Sequence, residues 1–175
     1  MTHMDPVWRA HMWGVWGADP KGREAKNEPF EIPMHGLGLF SCKTDAWLGF
    51  NEEFIGFGGE EGYIHEKFRQ HQKRIWCLPF LRWLHRFERP RGVPYPLQAE
   101  QRIHNYFVGF NELGLDLKDM LEHFKKEAPA VDLEYIRRNL KALRHQLIKG
   151  KMSLPDLELD PPKGEGACLK LPTSV

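Results

Sequence analysis

The chain has few cysteines, no excess of charge and no long apolar run, and each shortage removes a class of function. Its 175 residues hold three cysteines, Cys42, Cys77 and Cys168, an odd number without paired spacing. That argues against a disulfide framework and fits a reducing, cytoplasmic compartment. Lys and Arg number 25 against 24 Asp and Glu, a net charge of +1, so no global field draws the protein onto nucleic acid or anionic lipid. No apolar run approaches the roughly 20 residues of a membrane span. The opening Met1-Thr2-His3-Met4-Asp5-Pro6 lacks the basic and apolar regions of a secretory leader. No internal repeat is visible, and the length fits one domain of ordinary size with a real core.

What the chain does contain is unevenly spread. Trp8, Trp13 and Trp16 fall within 11 residues of one another near the start, and indoles at that density need cover. They suit either stacking on sugar rings or packing against a missing part of the domain. Residues 19–31 carry the Gly, Pro and charge of an exposed loop without secondary structure. The run Gly36-Leu37-Gly38-Leu39-Phe40-Ser41 predicts a buried strand whose backbone something else approaches closely. Residues 43–50 read as one helical turn closed by Gly49.

The chain is organised around Gly56-Phe57-Gly58-Gly59-Glu60-Glu61-Gly62, which runs into a helical pattern over 60–71 with Ile64 and Phe68 on one stripe. Glycine admits positive φ and close approach of a ligand to the main chain, and the free amides opening a helix favour an anionic or hydroxyl-rich ligand. Glu61 and His65 are spaced to share a zinc ion on one helical face, but no third ligand is spaced to join them. Residues 74–78 predict a second strand ended by Pro79. In 80–96, Arg82, Arg86, Arg89 and Arg91 surround Trp83, His85 and Phe87, while Pro90, Pro94 and Pro96 exclude a long helix. The arginines of this rigid loop suit a diphosphate, an RNA backbone or plain solvent.

The last third is helical. Ile103 and Phe107 mark a helix over 100–110, and Leu117, Met120, Leu121 and Phe124 mark another before Pro129. Asp132 is placed to cap a third, in which Leu133, Ile136, Leu140, Leu143 and Leu147 alternate at three and four up to Gly150. That stripe predicts a partner and self-association through 133–147, while Arg137, Arg138, Lys141, Arg144 and Lys149 form a solvated opposite face. Residues 151–175 read as a disordered tail.

Gly38-Leu39-Phe40-Ser41, then Phe57-Gly58-Gly59-Glu60-Glu61, then His85-Arg86-Phe87 form an ordered trio. It resembles the carboxyl-terminal catalytic half of GT-A glycosyltransferases of the polypeptide N-acetylgalactosaminyltransferase and β-1,4-galactosyltransferase type, in a bacterial or phage-like form. The likeness is closest over 30–96. It implies an α/β chain forming the carboxyl-terminal half of a GT-A fold, with a Trp-rich segment and loop over 1–34, a catalytic module over 35–97, a helical extension over 98–150 and a tail over 151–175.

The activity so implied is transfer of a hexose or N-acetylhexosamine from a nucleotide-diphosphate sugar to a hydroxyl of a glycan or protein acceptor. By the same resemblance, Gly38 and Phe40 wall the sugar pocket, Phe57, Gly58 and Gly59 line it, and Glu60 hydrogen-bonds sugar hydroxyls. Glu61 stands where inverting members place an Asp as general base. Glu is one methylene longer than Asp, which leaves the stereochemical outcome open. Arg86 would meet the substrate, and His85 matches the histidine of a Mn²⁺ or Mg²⁺ site. The other metal ligands of the family come from an Asp-x-Asp or Asp-x-His motif, absent from residues 1–35. The expected chain is therefore a truncated or split module that needs an amino-terminal nucleotide-binding half. The alternative is a non-catalytic module that binds glycan or protein.

Overall fold

The computed structural model describes residues 1–84, 92–93 and 97–146 in full and the backbone of 147–148. Strands β1 (His3–Arg9) and β2 (Met12–Gly17) form an antiparallel hairpin in which Arg9 pairs with Met12 and Met4 with Trp16. Val and Trp are strand formers. Pro6 cannot donate to a ladder, and the register slips around it, between Asp5 and Trp8. The loop expected over 19–31 holds a 3-10 turn, Pro20–Gly22, and then β3 (Phe30–Glu31). β3 pairs antiparallel with β4 (Trp76–Cys77), Phe30 opposite Cys77, so the strand expected over 74–78 exists in shortened form.

No strand forms over 36–41, contrary to expectation; the segment is a turn. Extended pairing falls before the glycines, at β3 and in a bridge between Met34 and Met4. The close approach is present nevertheless, since a Cβ on Gly38 would lie 2.2 Å from the Trp83 ring. The turn expected over 43–50 is a 3-10 turn, Thr44–Ala46, which ends on extended Trp47 rather than at Gly49.

Helix α1 (Glu60–Gln70) crosses α2 (Ala99–Leu113), and α2 is the axis of the molecule. Every residue from 101 to 110 is buried, including the polar Gln101, Arg102, His104 and Asn105. On one side Ile103, Phe107 and Phe110 pack with Ile55, Met120 and Phe124 of α3 (Lys118–Glu127). On the other, Tyr63, Ile64 and Phe68 of α1 meet Phe30, Ile32, Ile75 and Leu113. The two helices are also pinned by Glu112, which accepts from Lys67 at 2.8 Å and from the Tyr63 hydroxyl at 2.7 Å.

Asp132 caps the next helix as expected, accepting from the Tyr135 N–H at 2.9 Å. The single helix expected up to Gly150 is instead two, α4 (Leu133–Arg138) and α5 (Leu140–Ile148). They are hinged at Asn139, whose side-chain amide donates to the Tyr135 carbonyl at 2.8 Å and so competes with the helical ladder. Leu133, Ile136 and Leu143 are buried in the α2–α3 core and Leu140 packs on it. The uncovered seam along 133–147 is thereby corrected, and with it the ground for self-association there. The side chain of Leu147 and the tail over 151–175 lie outside the described residues.

The cover expected for the indoles is supplied within the chain. Trp8 stacks on His123 and packs against Tyr106, Phe110 and Phe124, with ring centroids 4.8–5.9 Å apart. Trp13 lies on Phe110 and Gly62, and Trp16 on Gly36. Trp8 and Trp13 are covered by α1, α2 and α3 of this same chain and Trp16 by the loop at Gly36, and all three remain half-buried. The architecture is mixed α/β, with two two-stranded sheets and five α-helices among the described residues. No helix among them is long and apolar enough to cross a membrane.

Candidate functional site

The site grows from two glycines. Gly58 and Gly59 hold φ of +106° and +93°, the left-handed side that a side chain disfavours. They swing the chain so that α1 starts with its free amides beside Glu60 and Glu61. A Cβ on Gly58 would stand 2.4 Å from Arg102 Nε, so the guanidinium of Arg102 lies directly across the glycine turn.

α2 holds this turn in place. Asn105 Oδ1 accepts from the Ile55 N–H at 2.9 Å, and its Nδ2 donates to the carbonyls of Ile55 at 2.7 Å and Gly58 at 2.9 Å. The Tyr106 hydroxyl accepts from the Trp13 N–H at 2.7 Å, and Arg102 Nη1 donates to the His11 carbonyl at 3.3 Å. Arg102 is 6% exposed, sits 5.6 Å over the Phe57 ring, and has no protein partner for Nε.

Burial pushes the Glu61 carboxyl up to about 7, the neighbouring Glu60 charge adds to that rise, and Glu61's own backbone amide and Arg102 restrain it. Burial also raises Glu60, against the backbone amides of Glu60 and Gly58 and the charge of Arg102. The result is a pair of adjacent carboxyls, both raised and Glu61 to about 7, with the buried Arg102 cation beside them. Such a pair can accept hydrogen bonds from hydroxyl groups and take a proton from one.

The structure therefore brings Phe57, Gly58, Gly59, Glu60 and Glu61 together around Arg102. Phe40 meets α1 one turn further on, its ring 6.3 Å from that of His65, and Gly38 lies against Trp83. His85 and Arg86 lie outside the described residues, as do Arg89 and Arg91. Arg82 is engaged by main chain, donating to the carbonyls of Pro79 at 3.0 Å and Arg23 at 2.7 Å.

Comparison with protein families, with curated proteins and with solved structures finds no match.

Arg102 and the anchoring roles of Asn105 and Tyr106 escaped the sequence reading. A signal was present: polar residues at 101, 102, 104 and 105 surround Ile103 on all sides of a helix with apolar residues on its core face. A helix buried all round can keep such residues only if they are hydrogen-bonded or charged against something specific.

Proposed function

We propose that the chain is the acceptor-side catalytic module of a GT-A-type glycosyltransferase, moving a hexose or N-acetylhexosamine from a nucleotide-diphosphate sugar to a glycan or protein hydroxyl. The observation that carries this reading is the Gly58-Gly59 turn delivering Glu60 and Glu61 at the start of α1, with Glu61 poised at about 7. A base with a pKa near the working pH is the most effective at taking a proton from a hydroxyl as it attacks an anomeric carbon. In this reading Glu61 is that base and Glu60 orients sugar hydroxyls. Arg102 restrains the rise in both carboxyls, and Asn105 fixes the turn.

Among the described residues no three His, Cys, Asp or Glu side chains converge to hold a metal ion; His85, the ligand the resemblance gives to Mn²⁺ or Mg²⁺, lies outside them. Donor binding is left to an amino-terminal half carrying the Asp-x-Asp pair. Cys42 and Cys77 are free thiols, which suits a cytoplasmic setting.

The test is saturation-transfer NMR of the 175-residue chain with free hexoses and N-acetylhexosamines. We expect sugar protons to receive saturation from the wild type and to lose most of it in Glu60→Gln, whose amide cannot match a carboxylate as hydroxyl acceptor. Absence of transfer to every sugar would overturn the reading. Binding that persists in Glu60→Gln would move the pocket elsewhere.

A further inference from the structure

Beside the amino-terminal hairpin lies a concavity that the transfer reading leaves unused. It is an open cleft of about 480 Å³ whose walls are the rings of Trp8, Trp13 and Phe110 and the carboxylates of Glu66, Asp116 and Asp119. That volume falls within the roughly 300–1,000 Å³ of small-molecule sites. The rings make a corner rather than a flat stack. Trp8 and Trp13 are 6.1 Å apart at 30°, Trp8 and Phe110 5.9 Å at 51°, and Trp13 and Phe110 5.2 Å at 74°. Both indoles are only half-buried, so the cleft presents aromatic surface to solvent.

The charge around this corner has one sign. No Lys, Arg or His lines the cleft. Glu66 is paired with Arg69 at 2.7 Å. Asp116 accepts from the Lys118 backbone N–H at 2.9 Å, a neutral donor that leaves the carboxylate its charge. Asp119 stands in the first turn of α3, and neither aspartate has an ion-pair partner among the described residues. An anion would be repelled from such a cleft. A neutral sugar could stack on the indoles, but it would leave both aspartate charges unbalanced. A cation meets both demands, because the negative face of an aromatic ring attracts it and the carboxylates supply its counter-charge.

We infer that the cleft binds a small organic cation, with an ammonium group seated in the corner of Trp8, Trp13 and Phe110 and balanced by Asp116 and Asp119. The rings take the alkyl surface around the nitrogen and the carboxylates take its charge. A free amine and the lysine side chain of another protein present the same group. The cleft shares no lining residue with the turn that carries Glu60 and Glu61, so the inference stands or falls independently of the transfer reading.

The test follows the indole N–H signals of the ¹⁵N-labelled full chain in ¹H–¹⁵N spectra during titration with choline, putrescine and an acetylated lysine methylamide. We expect saturable movement of the Trp8 and Trp13 signals with Trp47, Trp76 and Trp83 unmoved. Tighter binding of the lysine compound than of the free amines would assign the cleft to a protein side chain, and the reverse order to a free amine. The double variant Asp116→Asn, Asp119→Asn changes exposed positions without altering shape and should weaken binding roughly fivefold or more. High salt should weaken it as well. The neutral alcohol of the same shape as choline, with carbon in place of the ammonium nitrogen, should not compete. Lack of saturable movement with all three cations, equal binding of the neutral alcohol or of a free hexose, undiminished affinity in the double variant, or movement confined to other indoles would each overturn the inference.

Discussion

Glu61 and His65 sit one turn apart on α1, and burial acts on them in opposite senses. A carboxyl that titrates at about 7 in the fold and near 4.3 when unfolded binds its proton more tightly in the native state. Its contribution to stability is full below the unfolded value and is lost as pH rises through about 7. His65 titrates at about 4 in the fold against an ordinary 6.5, so its contribution is full above 6.5 and is lost as pH falls towards 4. Across the shared window the two slopes oppose each other, each on the order of a few kcal/mol in total. Glu61→Gln should therefore yield a chain whose stability rises with pH between about 4 and 6.5, and His65→Gln one whose stability falls between about 4.5 and 7. Urea midpoints measured at a series of pH values with chelator present check this. Parallel profiles for the two variants would show that the burial argument is wrong.

Among elements, α4 and α5 show how one sequence pattern admits two tertiary meanings. Five aliphatic residues at three-and-four spacing describe a stripe that needs cover, but the pattern does not say whether cover comes from the same chain or another. Asn139 breaks the helix, and α2 and α3 supply the cover. Leu143, 1% exposed, should lose about 2–5 kcal/mol of stability on truncation to Ala, read as a lowered urea midpoint, while sedimentation stays that of the wild type. A change in association state without loss of stability would restore the seam as an interface. The same ambiguity explains 36–41. A short apolar run with glycines predicts close backbone approach, and the Trp83 ring over Gly38 provides it, but a turn satisfies that demand as well as a strand does.

Across the whole molecule, the amino-terminal hairpin is bound to the far end of the chain. Trp8 lies between α2 and α3, 4.8 Å from the Tyr106 ring and 5.5 Å from Phe124, and the Trp13 backbone is held by Tyr106. Trp8→Ala should cost about 3 kcal/mol, with amide protection in β1 and β2 falling before that of α2. Loss of protection in α2 first would mean that the hairpin is not an outer layer on a preformed helical core.

Much of this protein follows from local chemistry that needs no tertiary partner. The helices at α1, α2 and α3, the Asp132 cap, the short β4 strand and the positive-φ glycine turn ahead of α1 were all legible, because apolar period, capping groups and positive-φ glycines act within a few residues. The rise of Glu61 beside the charge of Glu60 was legible on the condition of burial, since adjacent acids stay neighbours in any fold. Only the tertiary structure decided what met them there. Arg102, Asn105 and Tyr106 stand more than 40 residues downstream, and His35 reaches His65 across 30. Such encounters depend on how α2 crosses α1 and where the hairpin docks, which is set by packing of side chains distant in sequence.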